Sequence, residues 1–194
     1  MKKLIFISLL FSILSLSVSA QKPTKAEKAA QLEQEFQQTR QLIESNHFQF
    51  ELNRVYPQGG QDLSRFNPRG KFVITDSVAK GTLPFFGRAY SLPYGEGGGI
   101  EFDGVMKDQS LKIEHKKKRK ILIYRFSITA KNDTYQISME ISGGGNCSVN
   151  LNSNNRAQIS YSGTVSPVKD KQESRKNRSP DSATRYRNYR TTEK

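Results

Sequence analysis

His47, His115, Cys147, the carboxylates Glu101 and Asp103, and the run Lys116-Lys117-Lys118-Arg119-Lys120 are the residues here whose types could do chemistry. The two histidines have no second cysteine and no HExxH or CxxC spacing near them, so a zinc site lacks a ligand set. No GxSxG motif presents a serine nucleophile, and neither histidine is tied by a motif to a serine. There is no GxxxxGK[ST], and the triple glycines at 97 and 143 do not stand between a strand and a helix, where a phosphate cradle would need them. Glu101 and Asp103 are two apart, which on a strand puts both carboxylates on one face. Paired carboxylates hydrolyse glycans, but exposed strands carry such pairs commonly. The sequence therefore names no catalytic residue, no metal ligand and no cofactor, and it reads as a protein that is not an enzyme. Cys147 alternates with polar residues in NCSVNL, the pattern of an inward-facing, inert thiol. As the single cysteine it can form no intramolecular disulfide, so stability must come from a packed core.

Two stretches suit binding better than catalysis. The bases at 116–120 crowd positive charge onto one turn, which attracts a polyanion such as an anionic lipid surface, lipopolysaccharide or an acidic glycan. The plainer reading is a solvated turn. LPFFGRAYSLPYGEGGGIEF at 83–102 mixes prolines and glycines with aromatics. Phe85, Phe86, Tyr90 and Tyr94 either pack as a cluster that fills a core or barrel mouth, or line an opening that receives a ligand. An unknown small ligand, an envelope protein or an anionic surface are the partners these features allow. Nucleic acid is a poor candidate for an exported chain, although RYRNYR at 185–190 interleaves Arg and Tyr in a manner suited to stacking.

The elements that position these residues fall into zones. MKKLIFISLLFSILSLSVSA at 1–20 has a positive start, an apolar run and a small-residue end, the pattern of a secretory signal peptide cleaved near Ala20-Gln21. It is too short and serine-rich for a good anchor, and no later run reaches the ~20 apolar residues of a spanning helix. The chain thus reads as exported, periplasmic or secreted. Residues 21–46 predict a helix opened by a Thr24-x-x-Glu27 capping box, with Ala29, Leu32, Phe36 and Ile43 as its apolar stripe. Asn46 is placed to end it.

From 47 to 166 the period becomes two. FQFEL, FVIT, IEF, LKIEH, ILIYRFSI, YQISMEI, CSVNL and AQISY are short strand-like runs, separated by KNDT, SGGGN and NSNN. Such runs predict a mainly β domain, an antiparallel barrel or sandwich behind one N-terminal helix. Residues 167–194 hold nine basic and four acidic side chains and four apolar ones, the composition of a disordered basic tail. The net charge of +13 is localised: the β zone's sixteen basic and ten acidic residues leave +6, nearly all of it at 116–120.

LPFFGRAYSLPYGEGGGIEF, FQFELNRVYP at 48–57 and LNSNNRAQISYSGTV at 151–165 together resemble an exported family of Gram-negative bacteria, the domain of unknown function numbered four-two-five-one. The resemblance covers most of residues 30–165, and the basic tail lies outside it. It implies a helix before a lipocalin-like antiparallel barrel in the periplasm or beyond, and it transfers no catalytic residue.

Overall fold

The structure is a computed structural model that describes residues 24–91, 98–116, 119–130 and 133–168. The signal segment, its cleavage site, Tyr94, Lys117, Lys118 and the tail beyond residue 168 lie outside the described residues.

Helix α1 runs Lys25–Glu44 and opens on the predicted capping box. The Thr24 amide donates to Glu27 Oε2 at 2.7 Å, and the Glu27 amide donates to Thr24 Oγ1 at 3.3 Å. Ser45 caps the other end, and Asn46 follows at φ 48°, a left-handed conformation that turns the chain into the barrel. The apolar stripe is shorter than its spacing implies. Phe36, Thr39 and Ile43 are buried, but Ala29 is exposed and Leu32 is 60% exposed. Twenty residues make a helix about 30 Å long, and its buried side chains begin only at Phe36.

Eight strands follow: β1 His47–Pro57, β2 Lys71–Thr75, β3 Val78–Leu83, β4 Ile100–Lys116, β5 Arg119–Thr129, β6 Thr134–Ser142, β7 Asn146–Ser153 and β8 Ile159–Pro167. Each is antiparallel to the next, and β8 returns to pair with β1. The sheet is therefore a closed barrel, not a sandwich, in the up-and-down arrangement that lipocalins use. Two extents were hidden in the sequence. β3 is VAKGTL, which lacks the β-rich run of its neighbours, and β4 joins IEF and LKIEH into a single 17-residue strand.

Inward positions alternate with outward ones as the pleat requires. Phe48, Phe50 and Leu52 point inward on β1, and a bulge before Arg54 shifts the phase so that Val55 does so next. An eight-stranded barrel is just wide enough for side chains to fill, and aromatic rings fill this one. Phe50, Phe72, Phe102 and Tyr135 form one string, with centroids 5.0, 5.9 and 6.1 Å apart. Phe48, Tyr124 and Phe126 form another at 6.2 and 5.3 Å. Gly163 makes room for the first string, because a Cβ there would lie 2.1 Å from the Glu51 carbonyl and 2.7 Å from the Phe50 ring.

The antiparallel order leaves two ends. At the helical end are α1, the β2–β3 turn, the β4–β5 hairpin and the Gly143–Gly145 turn between β6 and β7. At the loop end are residues 58–70, 84–91, 98 and 99, the joint between β5 and β6, and the turn between β7 and β8.

Candidate functional site

The loop end separates the aromatics that the sequence grouped. Residues 84–91 run beside the β7–β8 turn as a short irregular ribbon: the Tyr90 amide donates to the Asn155 carbonyl at 2.8 Å, and the Ala157 amide to the Arg88 carbonyl at 2.9 Å. Between these bonds Ala89 bridges Arg156. Phe85 turns inward, packing half-buried against the core with the Arg156 guanidinium 5.2 Å from its ring centre. Phe86 is 36% exposed and Tyr90 62% exposed. Below them the Tyr161 hydroxyl donates to the Pro84 carbonyl at 2.9 Å, and burial pushes its pKa up, with Arg156 pulling the other way.

Arg156 is the residue that sequence reasoning missed. It is only 5% exposed; its Nη1 donates to the Gly98 carbonyl at 3.2 Å, and its Nε is buried with no hydrogen-bond partner among the described residues. An arginine inside NSNNRAQ reads as a solvated turn residue, so composition gave no signal for it. Stacking on Phe85 offsets part of its desolvation.

At the helical end, the basic turn is partly spoken for. Lys120 Nζ lies 2.9 Å from both Glu33 carboxylate oxygens and 5.7 Å from the Phe36 ring centre, fastening α1 to the hairpin. The hydrogen bond from Lys120 holds the Glu33 carboxyl below its usual range. Lys116 Nζ lies 2.7 Å from Glu140, and that bond raises the lysine. Arg119 is exposed at the tip and forms no ion pair among the described residues. Gly143 lets α1 settle on the barrel, since a Cβ there would come within 3.3 Å of the Phe36 amide nitrogen.

The remaining candidates do not converge. Asp103 meets Lys80 across the strands at 2.5 Å while Glu101 sits opposite Thr82, so the two carboxylates are not held as a pair. Among the described residues, no three His, Cys, Asp or Glu side chains gather as a metal site. Cys147 is buried in the core as its alternation predicted, and burial pushes its thiol well up, the opposite of what a nucleophile needs. Burial likewise raises Tyr124 to about 12; its hydroxyl lies 3.0 Å from Asn46 Oδ1 and 2.9 Å from Gln109 Oε1. A cleft between Asp108, Arg125, Gln136 and Ser138 lies on the outer face of the sheet.

A helix-capped, eight-stranded antiparallel barrel with a filled interior is the class that this geometry defines. Within it, the chain belongs to the family described as Domain of unknown function (DUF4251), whose model matches residues 30–165. The crystal structure of a DUF4251 family protein from Bacteroides eggerthii DSM 20697 is similar, with a TM-score of 0.50 at 23% identity, covering 72% of this chain and 91% of that one. No curated protein matches the sequence. Among the described residues, no helix is long and apolar enough to cross a membrane.

Proposed function

We propose that this chain is an exported, non-catalytic binding domain that meets an envelope protein on the outside of its barrel, at the loop end. The observation that carries this reading is the filled interior: Phe48, Phe50, Phe72, Leu83, Ile100 and Tyr161 are fully buried members of one hydrophobic cluster where a lipocalin would hold its ligand. A partner must then be recognised from outside, and Phe86 and Tyr90 are exposed aromatics on a loop tied down by backbone bonds. Rigid, exposed aromatics are the side chains that most often anchor protein interfaces. Export rests on the pattern of residues 1–20, and N-terminal sequencing of envelope-purified protein is expected to begin at Gln21.

The test is native mass spectrometry of the chain purified from its own envelope, beside a Phe86→Ser/Tyr90→Ser variant. The expected result is a co-purifying protein that the variant loses while its melting temperature falls by no more than about 5 °C. A small molecule retained by both forms would sink the reading.

Polyanion binding through Lys116–Lys120 is a weaker second reading. Arg119 at the exposed tip favours it, while the engagement of Lys116 and Lys120 by carboxylates counts against it. The residues beyond 168 would add to it through their charge alone.

A further inference from the structure

β4 pairs with β3 only from Ile100 to Val105, yet it continues to Lys116. Past the bulge between Lys107 and Ser110, β4 is bonded to β5 alone. On its other side, the last backbone bond is the Met106 amide donating to the Ser77 carbonyl at 2.7 Å. From there to Lys116, no backbone group on that side finds a backbone partner among the described residues. The residues from Lys112 to Lys116 are exposed. A bare edge of this length is a template for one more strand.

Lysines on an edge usually deter pairing. Here Lys112 and Glu114 flank Ile113, which is 42% exposed. That order is self-complementary. We propose that the β4 edge is a self-association surface, on which β4 of a second copy adds antiparallel about a two-fold axis at Ile113. Such an isologous contact uses the same patch on both copies. Ile113 then faces Ile113, and Lys112 of each copy faces Glu114 of the other. Leu111 faces His115, and Ser110 faces Lys116. Moving the axis to Lys112 or to Glu114 sets a like charge opposite itself, and a parallel in-register pair does so at both positions. An axis at His115 would also pair Glu114 with Lys116, but it carries Ile113 past Lys116, the last residue of β4, so the Ile113 register alone pairs the apolar side chain as well as the charges. The contact buries less than the ~1,200–2,000 Å² of a stable interface, so association is weak and rises with protein concentration.

Cross-linking of the full chain tests this proposal. Directly opposite residues in an antiparallel pair have Cα atoms roughly 4.5–5.5 Å apart, within the span of a disulfide. Under mild oxidation, Ile113→Cys is expected to give a linked dimer at least about tenfold faster than Val105→Cys, whose side chain is 57% exposed but whose backbone is paired with β3. The native Cys147 is buried and does not compete. Adding Lys112→Glu to Ile113→Cys puts acids opposite acids and is expected to slow linkage roughly tenfold. Adding Glu114→Lys as well is expected to restore it. Equal rates at 113 and 105, indifference to Lys112→Glu, or no recovery in the double swap would each overturn the proposal.

Discussion

Regular elements close one end of the barrel and an irregular loop closes the other, and the two distribute their interactions differently. At the helical end Phe36 and Ile43 supply the buried apolar contact, and the charges Lys120–Glu33 and Lys116–Glu140 stay at the solvent rim. At the loop end the positions are reversed: the charge of Arg156 is inside, and the aromatics Phe86 and Tyr90 are outside. Apolar burial is the main source of stability, so the helical end should carry more of it. A buried charge costs stability locally and exposed rings add little, which makes the loop end the better candidate for recognition.

The largest expected difference is between two phenylalanines. Phe36→Ala removes a ring that is 4% exposed and should cost about 3–5 kcal/mol in chemical denaturation. Phe86→Ala would cost as much if its ring were buried, but at 36% exposure it should cost about 1 kcal/mol or less. Similar losses at both sites would break the contrast between the ends.

Next in size is Arg156. Arg156→Ala leaves a space beneath Phe85 and strips a hydrogen bond from Gly98, for a loss of about 1–3 kcal/mol by urea unfolding. Arg156→Met fills the space without a charge to desolvate, so its stability should stay within about 1 kcal/mol of the parent or exceed it. A large loss from Met as well would show that the guanidinium itself holds the loop.

A smaller effect, shared by both ends, comes from pH. Burial raises Tyr124 at the helical end to about 12 and raises Tyr161 at the loop end. Below the unfolded value near 10 both folded and unfolded chains keep these protons, and the contribution is intact. Above it the unfolded chain releases its protons first, so stability should fall as pH climbs from about 10 toward 12. Urea midpoints measured across that range should drop less steeply in Tyr124→Phe.

The smallest expected change is at the rim. Lys120→Gln removes an exposed ion pair and should shift the melting temperature by about 2 °C or less. On heparin at low salt, Arg119→Gln should weaken retention more than Lys116→Gln, because Glu140 already neutralises Lys116. The reverse order would show that the ion pairs open on contact.

Most strands were legible because alternation depends on local sequence. Tyr135, Ile137, Met139 and Ile141 share a face in any antiparallel sheet, and all are buried. The capping box was legible for the same reason, since Thr24 and Glu27 meet within one helical turn. β3 was not, because Gly81 in VAKGTL has its place only through the neighbour opposite it: a Cβ there would lie 2.2 Å from Phe72 Cβ.

The candidate site was less legible than the fold. The sequence marked Phe85, Phe86 and Tyr90 as one aromatic group but could not say that the first faces the core and the others solvent. It found the charge at 116–120 without the carboxylates Glu33 and Glu140 that neutralise two of its members. It gave no sign that Arg156 is buried. Periodicity, caps and turns are set by residues within a few positions of each other, and these the sequence determined alone. Ion pairs, ring stacking and burial join residues such as Lys120 and Glu33, or Phe85 and Arg156, that are far apart in the chain. Only closure of the barrel, with α1 docked on its end, brings them within the few ångströms over which those forces act.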